Sequence, residues 1–145
     1  MSDSSPKERK TQVTRTFMQM AADAAAEVSS ISPSEAQRLL AQDPRALLID
    51  VRDAESIRAT GKIPGAAAIS AGSLLFKADQ EVPEDWRDQR VQDRSRAIIT
   101  QCDLGPLGAI SAKNLRDMGF TNVRYLDGGI AAWKQAGLPT EAYSD

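Results

Sequence analysis

Apolar residues follow two patterns along the chain, one typical of amphipathic helices and the other typical of buried strands. Between residues 13 and 29 the apolar side chains, many of them alanine, recur at helical spacing, which predicts an amphipathic N-terminal helix. We expect this helix either to pack on the outside of the domain or to dock a partner or a second copy. Two continuous apolar runs, ALLIDV at 46–51 and AIIT at 97–100, predict strands that are buried on both faces.

Turn and cap signals place further elements between and after these strands. Ser32, Pro33 and Glu35 form a helix-start signal, with proline at the first helical position. Small or apolar runs at 66–70 and 123–126 follow turn residues and predict two more strands. Strands that alternate with helices in this way predict an α/β domain. We expect a largely parallel central sheet of about five strands, flanked by helices, with an extra N-terminal helix.

Polar segments set the predicted organisation of the chain. Residues 1–12 are polar and predict a disordered tail, 13–29 the helix, 30–140 the domain and 141–145 a second tail. Within the domain, the segment 71–96 interleaves arginine with aspartate, which predicts short helices and a solvated, self-neutralising crossover.

Composition narrows the functions that such a domain could have. A length of 145 residues suits one domain, and the formal net charge of -2 makes nucleic acid and anionic membranes unexpected partners. The chain has no histidine and one cysteine, which excludes imidazole catalysis and the usual zinc, haem and copper ligand sets within one subunit. A single cysteine forms no intramolecular disulfide, so we expect a cytoplasmic protein. The two tryptophans, Trp86 and Trp133, are predicted core anchors.

Cys102 stands where the AIIT strand meets a turn-forming stretch. Gly105 permits a sharp reversal of the backbone, and Pro106 suits the first turn of a helix. Backbone N–H groups of this loop would then point at the sulfur and favour thiolate over thiol. The alternative is a buried structural cysteine, and the carboxylate of Asp103 opposes the thiolate. The loop that would bring these N–H groups to the sulfur consists of Asp103, Leu104, Gly105, Pro106, Leu107 and Gly108.

Charged residues near another predicted strand end are candidates for supporting this loop. In parallel α/β sheets, ligands bind outside the carboxyl ends of the strands. Asp50 and Arg52 lie at such an end, and we expect them to hold neighbouring loops together through hydrogen bonds. Lys62 lies in a predicted turn, where it is either simply exposed or steers anions toward the site.

Two long stretches of sequence enclose Cys102. The first, LIDVRDAESIRATGKIPGA at 48–66, has a strand ending in DVR that leads to a turn. The second is NLRDMGFTNVRYLDGGIAAWKQAGLP at 114–139. Both stretches resemble signatures of the rhodanese-like domain family of sulfurtransferases, and Cys102 falls at the position of that family's persulfide-forming cysteine. The resemblance extends from about residue 31 to about residue 139 and joins three ordered matches.

The resemblance implies a single rhodanese-like domain that catalyses sulfur transfer. Cys102 would be the catalytic residue, taking a sulfane sulfur from thiosulfate or a persulfide and passing it to a thiol or protein acceptor. The amides of the loop at 103–108 would stabilise the anionic sulfur. No metal or organic cofactor is implied, and the protein would be a monomer or a homodimer.

Two positions depart from the family pattern. Leu107 stands where many members have arginine, in the pattern C-x-x-G-x-R, and Lys62 replaces the histidine of a G-H-I-P-G-A turn. Loss of the loop arginine removes an anion clamp and leaves the donor open. It also keeps open a non-catalytic rhodanese-fold module that binds a partner or senses oxidants through Cys102. Phosphoryl transfer is disfavoured, because no arginine lies between Cys102 and Arg116 to grip an oxyanion.

Overall fold

The computed structural model describes residues 14–144. The predicted tail at 1–12 lies outside the described residues, and so does the last residue of the predicted tail at 141–145. The division of the chain into tails, helix and domain therefore stays a prediction. Among the described helices, none combines the length and the apolar character that crossing a membrane requires.

A parallel sheet of five strands forms the centre of the domain, as the sequence predicts. The strands lie in the order β1-β5-β4-β2-β3, so β4 is the middle strand. The connection from β1 to β2 crosses over it. Pairing of Ile49 and Tyr125 with Thr100 fixes the register on the two sides of β4. The strands are β1 Ser30–Ile31, β2 Leu47–Asp50, β3 Ala67–Ala68, β4 Ile98–Gln101 and β5 Val123–Leu126.

Helices connect these strands and flank the sheet. The predicted cap is present at the second helix, where the Ser32 hydroxyl accepts a hydrogen bond from the Glu35 N–H at 3.2 Å. The N-terminal helix begins at Phe17, later than the apolar pattern predicts, because Thr16 and Gln19 form a capping box there. The described helices are α1 Phe17–Glu27, α2 Pro33–Gln42, α3 Ala54–Thr60, α4 Ala71–Lys77, α5 Pro106–Asp117 and α6 Gly129–Gln135.

Apolar side chains cover both faces of the sheet. Leu47 and Ile49 of β2 pack on one face with Leu115 of α5. Leu48, between them, points to the other face and packs in a cluster with Trp133 of α6. Neighbouring positions of a strand point to opposite faces, so a strand covered on both sides is apolar throughout. This explains the continuous apolar runs, and the prediction that Trp133 anchors the core is confirmed.

The charged crossover differs from expectation at one residue. Between α4 and β4 the chain forms two short 3-10 helices, Glu84–Trp86 and Gln89–Val91. Trp86 is 53% exposed and contacts the ring of Phe76 edge-on, so the prediction that it anchors the core is wrong. Val91, in the second 3-10 helix, is the residue of these two helices that is buried in the core.

Candidate active site

Cys102 follows β4 at the carboxyl end of the sheet, four residues before α5 begins. Its Sγ accepts hydrogen bonds from the backbone N–H groups of Gly105 and Gly108, each at 3.2 Å. The side chain is 5% exposed and also touches the apolar core. Peptide N–H groups that point at a sulfur stabilise negative charge on it. Burial alone would suit a structural cysteine, but the paired amide donors suit a thiolate.

The backbone of the loop is bent so that these amides face inward. Gly105 has a φ of 120°, a conformation that side chains with a Cβ rarely adopt. Gly108 lies close to β4, since a Cβ there would come within 3.3 Å of the Thr100 carbonyl oxygen. The Thr100 hydroxyl in turn donates to the Gly108 carbonyl oxygen at 2.7 Å. Glycine at both positions is therefore what lets the loop close around the sulfur.

The first turn of α6 holds the other side of the loop. The N–H of Ile130 donates to the Cys102 carbonyl at 2.9 Å, and that of Ala131 donates to the Asp103 carbonyl at 3.0 Å. These bonds keep both carbonyl oxygens on the α6 side of the loop. Gly129, with a φ of 62°, lies so close that a Cβ would come within 2.6 Å of the Cys102 carbonyl oxygen.

Asp50 and Arg52 form a buried ion pair beside the loop. Arg52 donates to both carboxylate oxygens of Asp50, from Nε at 3.0 Å and from Nη2 at 2.7 Å. Its Nη1 reaches the Asp103 carboxylate at 3.2 Å, and the Thr60 hydroxyl and Gly61 carbonyl accept further hydrogen bonds. Burial disfavours the charged guanidinium, but the hydrogen bonds and charges of Asp50 and Asp103 outweigh it and raise the pKa of Arg52.

The position of Asp103 bears on the charge at the sulfur. Its side chain is 63% exposed and paired with Arg52. Solvent and a neighbouring cation both weaken the repulsion that a carboxylate would exert on the Cys102 thiolate. Asp103 therefore opposes a negative charge on the sulfur less than its place in the sequence suggests.

The contacts of Lys62 lie outside the cysteine loop. Its Nζ donates to the Ala66 carbonyl at 3.0 Å and pairs with the Glu141 carboxylate at 2.8 Å. Lys62 and Glu141 also exchange two backbone hydrogen bonds. The hydrogen bond from Lys62 lowers the pKa of Glu141. The structure thus brings Asp50, Arg52 and the loop together around Cys102, and places Lys62 in a contact with the C-terminal segment.

A pocket of about 380 Å³ opens over the sulfur. The pocket is lined by Cys102, by most residues of the loop, and by Asp53 and Ser56 at the start of α3. Phe17 and Met18 of α1 line it as well. The place of these α1 residues at the pocket does not follow from the sequence pattern, because helical spacing indicates which face of α1 is apolar but not where that helix docks. Within residues 14–144, no cluster of three or more His, Cys, Asp or Glu side chains could hold a metal ion.

The chain is similar in sequence to known proteins over most of its length. A family model described as "Rhodanese-like domain" matches residues 32–136. The thiosulfate sulfurtransferase GlpE of Ectopseudomonas mendocina is 31% identical over 118 residues, which cover 79% of this chain and 92% of that protein. The curated relatives of the chain also include longer proteins, and the chain spans only 20% of the length of one of them.

Solved structures share the fold as well. The polysulfide-sulfur transferase homodimer of Wolinella succinogenes has a TM-score of 0.70 and 27% identity, covering 97% of this chain and 96% of that chain. A protein of unknown function from Rhodopseudomonas palustris, described as a possible tyrosine phosphatase, has a TM-score of 0.81 and 29% identity. That match covers 89% of this chain and 96% of that chain.

Proposed function

The chain belongs to the rhodanese-like domain family, and from that premise we propose that it is a sulfurtransferase that carries sulfur on Cys102. The observation that carries the proposal is the pair of backbone N–H groups, from Gly105 and Gly108, that converge on Sγ. Relatives of similar sequence that are named sulfurtransferases support the same reaction class.

The proposed reaction is a double displacement at sulfur. The Cys102 thiolate attacks the sulfane sulfur of the donor, and the bond between that sulfur and the rest of the donor breaks. The electron pair leaves with the donor, as sulfite from thiosulfate or as a thiolate from a persulfide. A nucleophilic acceptor then attacks the outer sulfur and restores the Cys102 thiolate. No external oxidant, reductant or imidazole base enters this scheme.

The amides of the loop suit both states of the cysteine. In the resting state they donate to the thiolate, and in the intermediate the negative charge moves to the outer sulfur atom of the persulfide. We infer that N–H groups of the loop at 103–108, in which only Pro106 lacks one, stabilise that charge after it has moved by one bond length. Asp50 and Arg52 act as positioning residues, since they hold Asp103 and the α3 side of the pocket.

Charge at the pocket bears on the choice between thiosulfate and a persulfide as donor. Arg52 is the only cation among the described residues lining the pocket, and its donors already bond Asp50, Asp103, Thr60 and Gly61. Among these residues, a thiosulfate dianion would therefore find no cation with hydrogen-bond donors left to bind it. The named activity of GlpE supports thiosulfate, while the charge at this pocket favours a donor with less negative charge.

We further propose the partners and the compartment of this reaction. The acceptor is a small thiol or a protein thiol. The oligomeric state is a monomer or a homodimer, and the transferase of W. succinogenes is a homodimer. Nucleic acid and membranes are not part of the proposal, since the net charge is -2. The cytoplasm suits a lone nucleophilic thiol, because thiols are kept reduced there.

Mass spectrometry of the intact protein tests the assignment of Cys102. The protein is incubated with thiosulfate or with an organic persulfide, and we expect its mass to increase by one sulfur atom. Cys102→Ser is the control and should gain none. A subsequent thiol acceptor should remove the added sulfur.

The same measurement separates catalysis from oxidant sensing. A Cys102 that gains no sulfur from any donor, yet converts readily to its sulfenic acid with peroxide, would contradict the sulfurtransferase. That result would favour the non-catalytic module, for which the leucine at position 107 is the specific argument.

A further inference from the structure

The first turn of α1 forms an apolar wall beside the reactive sulfur. Phe17 is 49% exposed and Met18 61% exposed, although both are large apolar side chains. They line the same pocket as Cys102, together with Leu104 and Leu107 of the loop. Large apolar side chains that stay exposed around a pocket lose contact with water when a ligand with an apolar surface binds.

Contacts along α1 fix this turn at the pocket. Ala21 and Ala24 are buried, and α1 packs along α5, the helix that begins at the cysteine loop. At the other end of α1, Arg116 of α5 donates to the Glu27 carbonyl, and Lys113 lies 3.7 Å from the Glu27 carboxylate. The capping box at Thr16 sets where the helix starts. The position of Phe17 and Met18 is therefore determined by the packing of α1 on α5.

Two kinds of side chain line the pocket. The charged groups belong to Asp53, Asp103 and Arg52, and the guanidinium of Arg52 is already bonded to other residues. The apolar wall consists of Phe17 and Met18. A small dianion gains nothing from this apolar wall, whereas an organic group attached to the sulfur donor would be buried against it.

We propose that Phe17 and Met18 are specificity residues that bind the apolar organic group R of a small persulfide donor, R–S–SH. The inference deepens the proposed function and rests on it. In the transfer, the Cys102 thiolate bonds to the outer sulfur of R–S–SH and the bond between the two donor sulfurs breaks. The inner sulfur leaves as R–S⁻, which takes the proton of the outer sulfur and departs as R–SH, while the charge stays on the Cys102 persulfide.

Two thiosulfonates serve as stable probes of the apolar group. Methanethiosulfonate and benzenethiosulfonate each transfer one sulfur and release a sulfinate, and both carry a single negative charge. They differ in the size of the apolar group. Their intrinsic reactivities also differ, but that difference cancels when the ratio of their kcat/KM values is compared between variants.

Phe17→Ala is the test variant and Met20→Ala the matched control. Met20 lies on the same helix and is 41% exposed, but it does not line the pocket over Cys102. We expect Phe17→Ala to lower the benzenethiosulfonate to methanethiosulfonate ratio by about fivefold, through KM, the effect of losing one or two methylene-sized contacts. Phe17→Leu should keep part of the preference, and Met20→Ala all of it.

The outcomes distinguish this inference from the function on which it rests. Each variant is checked by circular dichroism and thermal unfolding, so that a melted α1 is recognised. Suppose that both thiosulfonates load Cys102 but that Phe17→Ala leaves the ratio of their kcat/KM values unchanged. That result would overturn the role of the apolar wall and leave the sulfurtransferase standing. Failure of both thiosulfonates to load Cys102 in the unmodified protein, when thiosulfate or an organic persulfide does load it, would also overturn the inference alone. Failure of every one of these donors would overturn the inference and the sulfurtransferase together.

Discussion

Arg52 joins three parts of the chain through one guanidinium. It pairs with Asp50 at the end of β2, with Asp103 in the cysteine loop and with the end of α3. An arginine suits this position because its planar fork bonds several acceptors at fixed angles, which a lysine cannot do. Since those acceptors use its donors, Arg52 supports the loop and is not free to bind an anionic donor.

Leu107 is the uncharged residue at which the resemblance to rhodanese-like domains would place a cation in the pocket. It lines the pocket and also packs against the core cluster that includes Cys102. We expect Leu107→Arg to raise kcat/KM for thiosulfate by about tenfold, because one charge-assisted hydrogen bond to the donor would be added. Steady-state sulfite release measures the change.

Leu107→Gln is the control for this substitution, since it removes the same apolar contacts without adding charge. An equal rise in both variants would show that the loss of leucine matters and that charge does not. No rise in Leu107→Arg would contradict the role assigned to the missing cation.

At the scale of elements, the cysteine loop depends on α6 as much as on its own residues. The N–H groups at the start of α6 bind the carbonyls of Cys102 and Asp103, while the loop amides remain for the sulfur. The close approach requires glycine at position 129, where a Cβ would overlap the backbone of the loop. The DGG turn of the second signature therefore acts on the site through the backbone, without a side chain of its own.

Substitution of Gly129 tests this coupling. We expect Gly129→Ala to lower the free energy of unfolding by about 2–4 kcal/mol, from positive-φ strain and from overlap with the loop. It should also change the rate at which Cys102 reacts with a thiol reagent. Denaturant unfolding and iodoacetamide kinetics measure the two effects.

Gly137→Ala is the matched control, because Gly137 also has a positive φ, of 78°, but a Cβ added there would meet no other atom within 4 Å. It should cost only the backbone strain, on the order of 1 kcal/mol, and leave Cys102 reactivity unchanged. Equal losses in the two variants would contradict the proposed contact between α6 and the loop.

At the scale of the whole molecule, ionised carboxylates hold the surface segments in place. The pKa values of Asp79, Asp88 and Asp93 in the crossover are lowered. The leading causes are hydrogen bonds from the Glu81 amide to Asp79, and from the side chains of Arg90 and Ser95 to Asp88 and Asp93. The unfolded chain therefore binds protons more readily than the folded one.

The sign of the pH dependence follows from these lowered pKa values. The carboxylates contribute their full stabilisation above the pKa of the unfolded chain and lose it as the pH falls through the folded pKa. We expect the Tm to drop as the pH falls from about 5 to about 3, with faster amide exchange first in residues 77–96. Asp88→Asn should make the drop smaller. A Tm that stays constant to about pH 3 would contradict this account.

Local chemistry in the sequence was enough to predict the α/β class, the strand that leads to Cys102 and the loop around it. Strands that are buried on both faces need continuous apolar runs, and glycine followed by proline after the cysteine favours a turn and a helix start. These features therefore depend on neighbouring residues. The helix start at Ser32 and the core position of Trp133 follow from the same local rules.

Only the tertiary structure decided what surrounds the sulfur. Phe17 and Met18 lie more than eighty positions before Cys102, and Gly129 lies well after it, so no local pattern links them. The packing of α1 on α5 brings the first pair to the pocket, and the turn of α6 brings the glycine to the loop. Contacts of this kind depend on how helices pack against each other and against the sheet, which is a property of the whole chain.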